Sequence, residues 1–173
     1  MNYKSLPEMA AILTNNNAEA IADAELMAKG FDAFYSKNQD WCDNMDYDGE
    51  DDILQIFAYW FVGYDRENGV FGSYNDWQDS AEEVFPGLDE AVENLGYPIN
   101  TEEIEIAGED DIFVPEAMDE TNVYLNNLGY TLIYLDTDGD CYHFFIVPSG
   151  KFARLKELGG EIGFKFYKNE GKD

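Results

Sequence analysis

The stretch WCDNMDYDGEDD, from Trp41 to Asp52, places six carboxylates in twelve residues, and DTDGD, from Asp136 to Asp140, repeats the Asp-x-Asp-Gly theme. Carboxylates this close invite a metal test. A calcium loop of the EF-hand kind needs oxygen ligands at positions 1, 3 and 5, glycine at 6 and a bidentate carboxylate at 12. With Gly49 at position 6, Asn44, Asp46 and Asp48 fit, but Gln55 stands at position 12. With Gly139 there, position 1 is Tyr134 and position 12 is Phe145. Both loops fail, and no metal or other cofactor is expected. DTDGD reads better as a hairpin turn whose aspartates tolerate the backbone that a tight turn requires.

The single histidine, His143, lies two residues after Cys141 in CYHFFIV, on a segment with strand character. A Cys/His pair makes a nucleophile when the two side chains touch. Residues i and i+2 of a strand stand about 7 Å apart, and nothing nearby supplies oxyanion donors. A strand histidine among aromatics is then a structural residue. No glycine-rich phosphate loop is present, neither GxxxxGK[ST] nor GxGxxG after a strand. Paired carboxylates of the glycosidase kind carry no signal, because with 37 acids some pair always falls about 5–10 Å apart. No catalytic residue is assigned.

What remains is charge. The chain has 37 acids against 10 Lys and Arg, a net charge of −27. The bases are unevenly spread: residues 1–150 hold only Lys4, Lys29, Lys37 and Arg66, and the other six lie in the last 23 residues. Such a field repels nucleic acid and anionic membranes and attracts cations and basic proteins. The basic, aromatic tail from Lys151 onward is expected to pair with the acidic body rather than to read nucleic acid. The candidate binding surface mixes acids and aromatics: Trp41, Asp43, Asp46, Tyr47, Asp48 and Glu50 in one loop, Asp76 and Trp77 in a second (FGSYNDWQD, 71–79). The competing reading makes both segments solvated loops, with Trp41 and Trp77 anchoring them to the core and the acidity serving solubility.

These side chains need positioning elements. Helical spacing of apolar residues predicts helices over 5–14 (Ser5 as cap, Pro7 in the first turn), 18–36 and about 51–63. The last, ILQIFAYWFV, is apolar almost all round and should be the most buried, with Tyr59 and Trp60 each in need of a polar partner. The acidic loop is placed at 38–50. A strand follows at 70–76, then a helix over 79–95 that Pro86 and Gly87 should kink or split. Residues 97–114 are ambiguous, with IEI and IFV as possible short strands. Next come a helix over 115–128 and a β-hairpin over 130–148, then a helix at about 149–159 and a closing strand over 162–167.

At 173 residues and 45% apolar composition, one domain spanning residues 1–173 with a core of its own is expected. The fold class is α+β: several helices packed on a small antiparallel sheet with a late hairpin at about 130–147. The N-terminal MNYKSLPEMAAILTNNN does not read as a signal peptide, no apolar run is long enough to cross a membrane, and two distant cysteines read as free thiols. Cytoplasm is the expected location.

The apolar helix ILQIFAYWFVGY, the FGSYNDWQD segment and the late GYTLIYLDTDGDCYHFFIV hairpin followed by a helix together resemble a bacterial domain-of-unknown-function family, DUF6630. The resemblance spans most of the chain and implies an α+β bacterial cytoplasmic domain, with no catalytic residue to carry over. In size and acidity alone the chain is similar to immunity proteins of bacterial toxin systems, including the SMI1/KNR4-like group. The expected function is non-enzymatic binding of a basic protein, of the immunity or inhibitor type. The alternatives are a small carboxylate-based enzyme, with or without a divalent metal, and a purely structural or regulatory domain.

Overall fold

The structure, a computed structural model, describes residues 3–49, 53–76, 85–104, 114–137 and 139–168. Within these, helices α1 (Leu6–Leu13), α2 (Ala18–Lys29), α3 (Phe31–Asn44) and α4 (Ile53–Val62) lead into strand β1 (Gly72–Asp76). Then follow α5 (Leu88–Leu95), α6 (Val114–Asn127), strands β2 (Tyr130–Asp136) and β3 (Cys141–Pro148), α7 (Phe152–Gly160) and strand β4 (Lys165–Tyr167). The strands form one antiparallel sheet in the order β1-β3-β2-β4. The fold is α+β, as the residue patterning predicts.

The expected long helix over 18–36 is two helices. Gly30, at φ 114 and ψ 169, ends α2 and starts α3, a conformation closed to residues with a Cβ. The expected loop at 38–50 is helical through Asn44. The reason is apolar spacing: Phe31, Phe34 and Trp41 fall on one face and are buried, and they draw the helix onward through a kink at Asn38. Asn17 caps α2, its Oδ1 accepting from the Ala20 backbone N–H at 3.0 Å. The Ser5 side chain does not cap α1; its buried hydroxyl makes no hydrogen bond among the described residues, and Leu6 N–H bonds back to the Tyr3 carbonyl instead. Pro86 and Gly87 do break the helix after β1: α5 starts only at Leu88. Residues 79–84 of the expected helix over 79–95, residues 51 and 52 of the expected helix over about 51–63, and residues 105–113 of the ambiguous 97–114 segment lie outside the described residues. Strand character in the last segment is confined to Lys165–Tyr167.

The middles of β2 and β3 are buried at consecutive positions, Leu132 to Leu135 and His143 to Val147, so both faces of the sheet are covered. β4 pairs with β2 only from Tyr134 to Asp136, and the edge beyond is closed by a side chain. Asn122 of α6 accepts from Leu132 N–H (2.7 Å) and the Thr131 hydroxyl (3.1 Å) and donates to Leu132 C=O (3.0 Å). A buried amide with both ends satisfied protects an edge that would otherwise invite pairing. On the other edge, Asn75 of β1 accepts from Phe85 N–H at 3.0 Å, and the Ser73 hydroxyl donates to Pro86 C=O at 2.9 Å.

At Gly72, the start of β1, an added Cβ would lie 2.2 Å from the Phe144 carbonyl oxygen and 3.0 Å from the Phe145 ring. Backbone cannot yield as a side-chain tip does. Gly72→Ala is expected to cost about 2 kcal/mol or more, read as a lower urea midpoint at unchanged slope. A midpoint equal to that of the parent protein would show that β1 and β3 separate freely there.

Candidate functional site

The acidic surface is built from two segments that the core brings together. Trp41 on α3 is only 8% exposed and Tyr47 9%, their rings 5.7 Å apart. Both rings of the candidate surface are thus buried, and Trp41 holds its segment to the core as the competing reading had it. Each ring has more apolar area than the loop could leave in water, and each joins the core instead. The Trp41 indole has a positioning role: its Nε1–H donates to the Tyr64 backbone carbonyl at 2.9 Å, across 23 residues of sequence. That bond ties the turn after α4 to the end of α3.

A shallow cleft results, lined by Asn44, Met45, Asp46, Tyr64 and Asp65. Asp43 and Asp48 are exposed on the same α3 terminus and the residues after it. Asp46 and Asp65 both sit at positive φ, 56 and 53, a left-handed backbone that Asp and Asn tolerate better than other side chains. The Asp43 carboxylate accepts the Tyr35 hydroxyl at 2.7 Å, and this bond to an anion raises the Tyr35 pKa. Tyr64, 41% exposed, is the aromatic that stands among these acids, with its ring 5.2 Å from Tyr59 and 5.0 Å from Tyr74. Sequence reasoning missed Tyr64 and Asp65. The signal available was a Gly-Tyr-Asp turn directly after the most apolar helix, where an aromatic has no core left to enter. Asp76 is exposed at the end of β1, two residues beyond Tyr74 on the same side of the strand. Glu50 and Trp77 lie outside the described residues.

Behind the cleft sits a polar network within the aromatic core. Asp23 on α2 is 2% exposed. Its Oδ1 accepts from Lys37 Nζ at 2.6 Å and its Oδ2 from Trp60 Nε1 at 3.1 Å, so both oxygens are occupied. Trp60 in turn packs edge-on against Phe34 and Trp41, each at 5.0 Å. Its ring also carries the Arg66 guanidinium, 3.5 Å from the ring centroid. Beside it lies a cavity of about 220 Å³, lined in part by Glu19, Asp23, Trp60 and Arg66. Of the basic tail, Arg154 forks onto Glu8 of α1 at 2.8 and 2.9 Å and onto Glu157 at 2.7 Å, the internal pairing expected for it.

The sequence matches the family described as Domain of unknown function (DUF6630) over residues 5–169. The chain belongs to the DUF6630 family. No curated protein and no solved structure gives a match.

In this DUF6630 domain Cys141 and His143 do share a face of β3, and both meet α4. The Tyr59 hydroxyl and Cys141 Sγ are 3.6 Å apart, and the His143 ring stands edge-on to Tyr59 at 4.6 Å and near Tyr74 at 5.4 Å. Both cysteines are unpaired. His143 is fully buried, and neither ring nitrogen has a hydrogen-bond partner among the described residues. Burial likewise pushes the Tyr59 hydroxyl up, and the Tyr74 hydroxyl up to about 12. Among the described residues no three His, Cys, Asp or Glu side chains gather where they could hold a metal. No helix among them is long and apolar enough to cross a membrane.

Burial pushes the His143 imidazole from the ordinary 6.5 down to about 4. Between those values the unfolded chain binds the proton and the folded protein does not. The contribution is therefore complete above about pH 6.5 and is lost as the pH falls toward 4. Over the whole window the loss amounts to about 3 kcal/mol. In His143→Phe the part of the stability slope between about pH 6.5 and 5, above the carboxylate range, should vanish in urea titrations. An unchanged slope in that variant would place the titrating group elsewhere.

Proposed function

We propose that this chain is a non-enzymatic, acidic protein-binding domain of the immunity or inhibitor type. It blocks a basic protein by seating a Lys or Arg side chain of that partner in the cleft of Asp46, Tyr64 and Asp65. Asp43 and Asp48 form the rim, and Asp76, exposed at the end of β1, extends the same surface. The observation that carries the reading is an exposed tyrosine set between carboxylates that come from two distant segments. An aromatic ring offers a cation its face and its apolar area, while the acids supply charge. The net charge of −27 then steers a basic partner to the surface and speeds its association.

The size and acidity shared with immunity proteins of the SMI1/KNR4-like group support this reading, and on the same footing we take the protein to be bacterial. Two unpaired cysteines support a reducing compartment, the cytoplasm. The second reading, a small carboxylate-based enzyme, is favoured by the cavity that holds Glu19 and Asp23 beside Trp60. Asp23 has both oxygens engaged, which leaves Glu19 as the carboxylate free to move a proton there. That reading requires Glu19→Gln to abolish turnover.

Asn fits the left-handed backbone at positions 46 and 65, so Asp43→Asn, Asp46→Asn, Asp48→Asn and Asp65→Asn combined should remove four charges and keep the fold. Affinity capture from the source cell's lysate at about 50 and about 500 mM salt checks the proposal. The expected result is a basic protein retained at low salt, lost at high salt, and lost by the fourfold variant at both. Equal retention by the variant, or nothing retained at low salt, overturns the site.

A further inference from the structure

Arg66 is one of four bases in the first 150 residues, yet among the described residues it makes no salt bridge. In a chain with 37 acids that is unexpected, and the geometry shows what engages its guanidinium instead. Its guanidinium lies flat on Trp60. Its Nη1 donates to the Trp60 carbonyl at 2.9 Å and to the Gly69 carbonyl at 3.3 Å. Gly69 turns at φ 76, and a Cβ there would sit 2.8 Å from Nη2, so the glycine makes room for the group. One nitrogen thus fixes the fork, and Nη2 and Nε are left with no hydrogen-bond partner among the described residues. Burial lowers the Arg66 pKa to about 10, while Asp23 and Glu19 nearby push it back up. It remains a cation at neutral pH.

That fork borders the cavity of about 220 Å³, below the roughly 300–1,000 Å³ typical of sites for drug-sized ligands. The cavity is therefore sized for a small metabolite. Its lining carries both charges, Arg66 and the exposed carboxylate of Glu19, together with Asn17, Asn68 and Asn94. Asp23 at the back is already satisfied by Lys37 and Trp60. A planar fork with two open donors matches a carboxylate. A simple anion, however, would have to enter against a net charge of −27. A molecule that carries its own ammonium group meets no such barrier, and Glu19 gives that group a counterpart.

We propose that this cavity binds a small zwitterion of the free amino-acid class, its carboxylate on Arg66 Nη2 and Nε and its ammonium group on Glu19. The site shares no lining residue with the acidic cleft, so it stands or falls apart from the protein-binding reading.

Isothermal titration of the full chain with each of the protein amino acids, at about 10 mM, tests it. Acetate and methylammonium serve as single-charge probes. At least one amino acid should bind, and both single-charge probes should bind at least about tenfold more weakly. Arg66→Gln should abolish binding. Because Arg66 also holds the turn at Gly69, the second variant is Glu19→Gln, on an exposed side chain. It should weaken the amino acid about tenfold and leave its deaminated analogue, the same carboxylate without the ammonium group, unaffected. No heat from any amino acid overturns the proposal, as does equal binding by either variant.

Discussion

The structure depends on one buried charge. Asp23 is out of water at the junction of α2, α3 and α4, and an ionised carboxylate is tolerated there only when both oxygens are satisfied. Lys37 reaches it from α3 with an ammonium group that stays half in solvent, and Trp60 reaches it from α4 with its indole N–H. The ion pair adds little stability of its own, since its desolvation cost offsets much of its attraction. Its consequence is placement. It fixes the Trp60 ring, against which Phe34 and Trp41 pack edge-on and on which Arg66 stacks. A hydrophobic residue at position 23 would pack as well and would specify none of this.

From that fixed ring the two candidate sites diverge along a single turn. Tyr64 and Asp65 point the turn's acidic side toward α3, where the Trp41 indole holds it. Arg66, the next residue, folds back onto Trp60 and lines the opposite cavity. Neighbouring residues of opposite charge thus serve different surfaces. The separation is maintained by the left-handed Asp65, which reverses the chain between them. Without the aromatic core behind it, the segment from residue 64 to 69 would be an ordinary polar turn with its arginine paired to a nearby acid.

Much of the fold was legible in the sequence, because local signals and burial agree there. The hairpin of β2 and β3, the apolar α4 with partners for Tyr59 and Trp60, and the break at Pro86-Gly87 follow from residue patterning. The failures are where charge masked periodicity. Asp40, Asp43 and Asn44 made the end of α3 look like a loop, although Phe31, Phe34 and Trp41 kept a helical face through it. The single helix expected over 18–36 is divided at Gly30, whose positive φ makes it a boundary between two. For the site, the acids at 43, 46 and 48 were legible and the aromatic was not. Exposure of Trp41 or Tyr64 is decided by packing against α4 and β1, which no local pattern carries. The placement of Arg66 was equally hidden, since its seat on Trp60, without a salt bridge among the described residues, is a property of the folded chain alone.

Hydrogen exchange at the Trp60 indole N–H, followed by NMR at neutral pH, tests the central claim most directly. If the buried Asp23 holds this proton, it exchanges only as fast as the whole domain unfolds, and its rate tracks global stability as urea is added. An indole proton that exchanges rapidly and independently of urea, while the α4 backbone amides stay protected, would contradict the account. The Asp23 network would then be a surface contact, and the placement of Trp60 and Arg66 would need another cause.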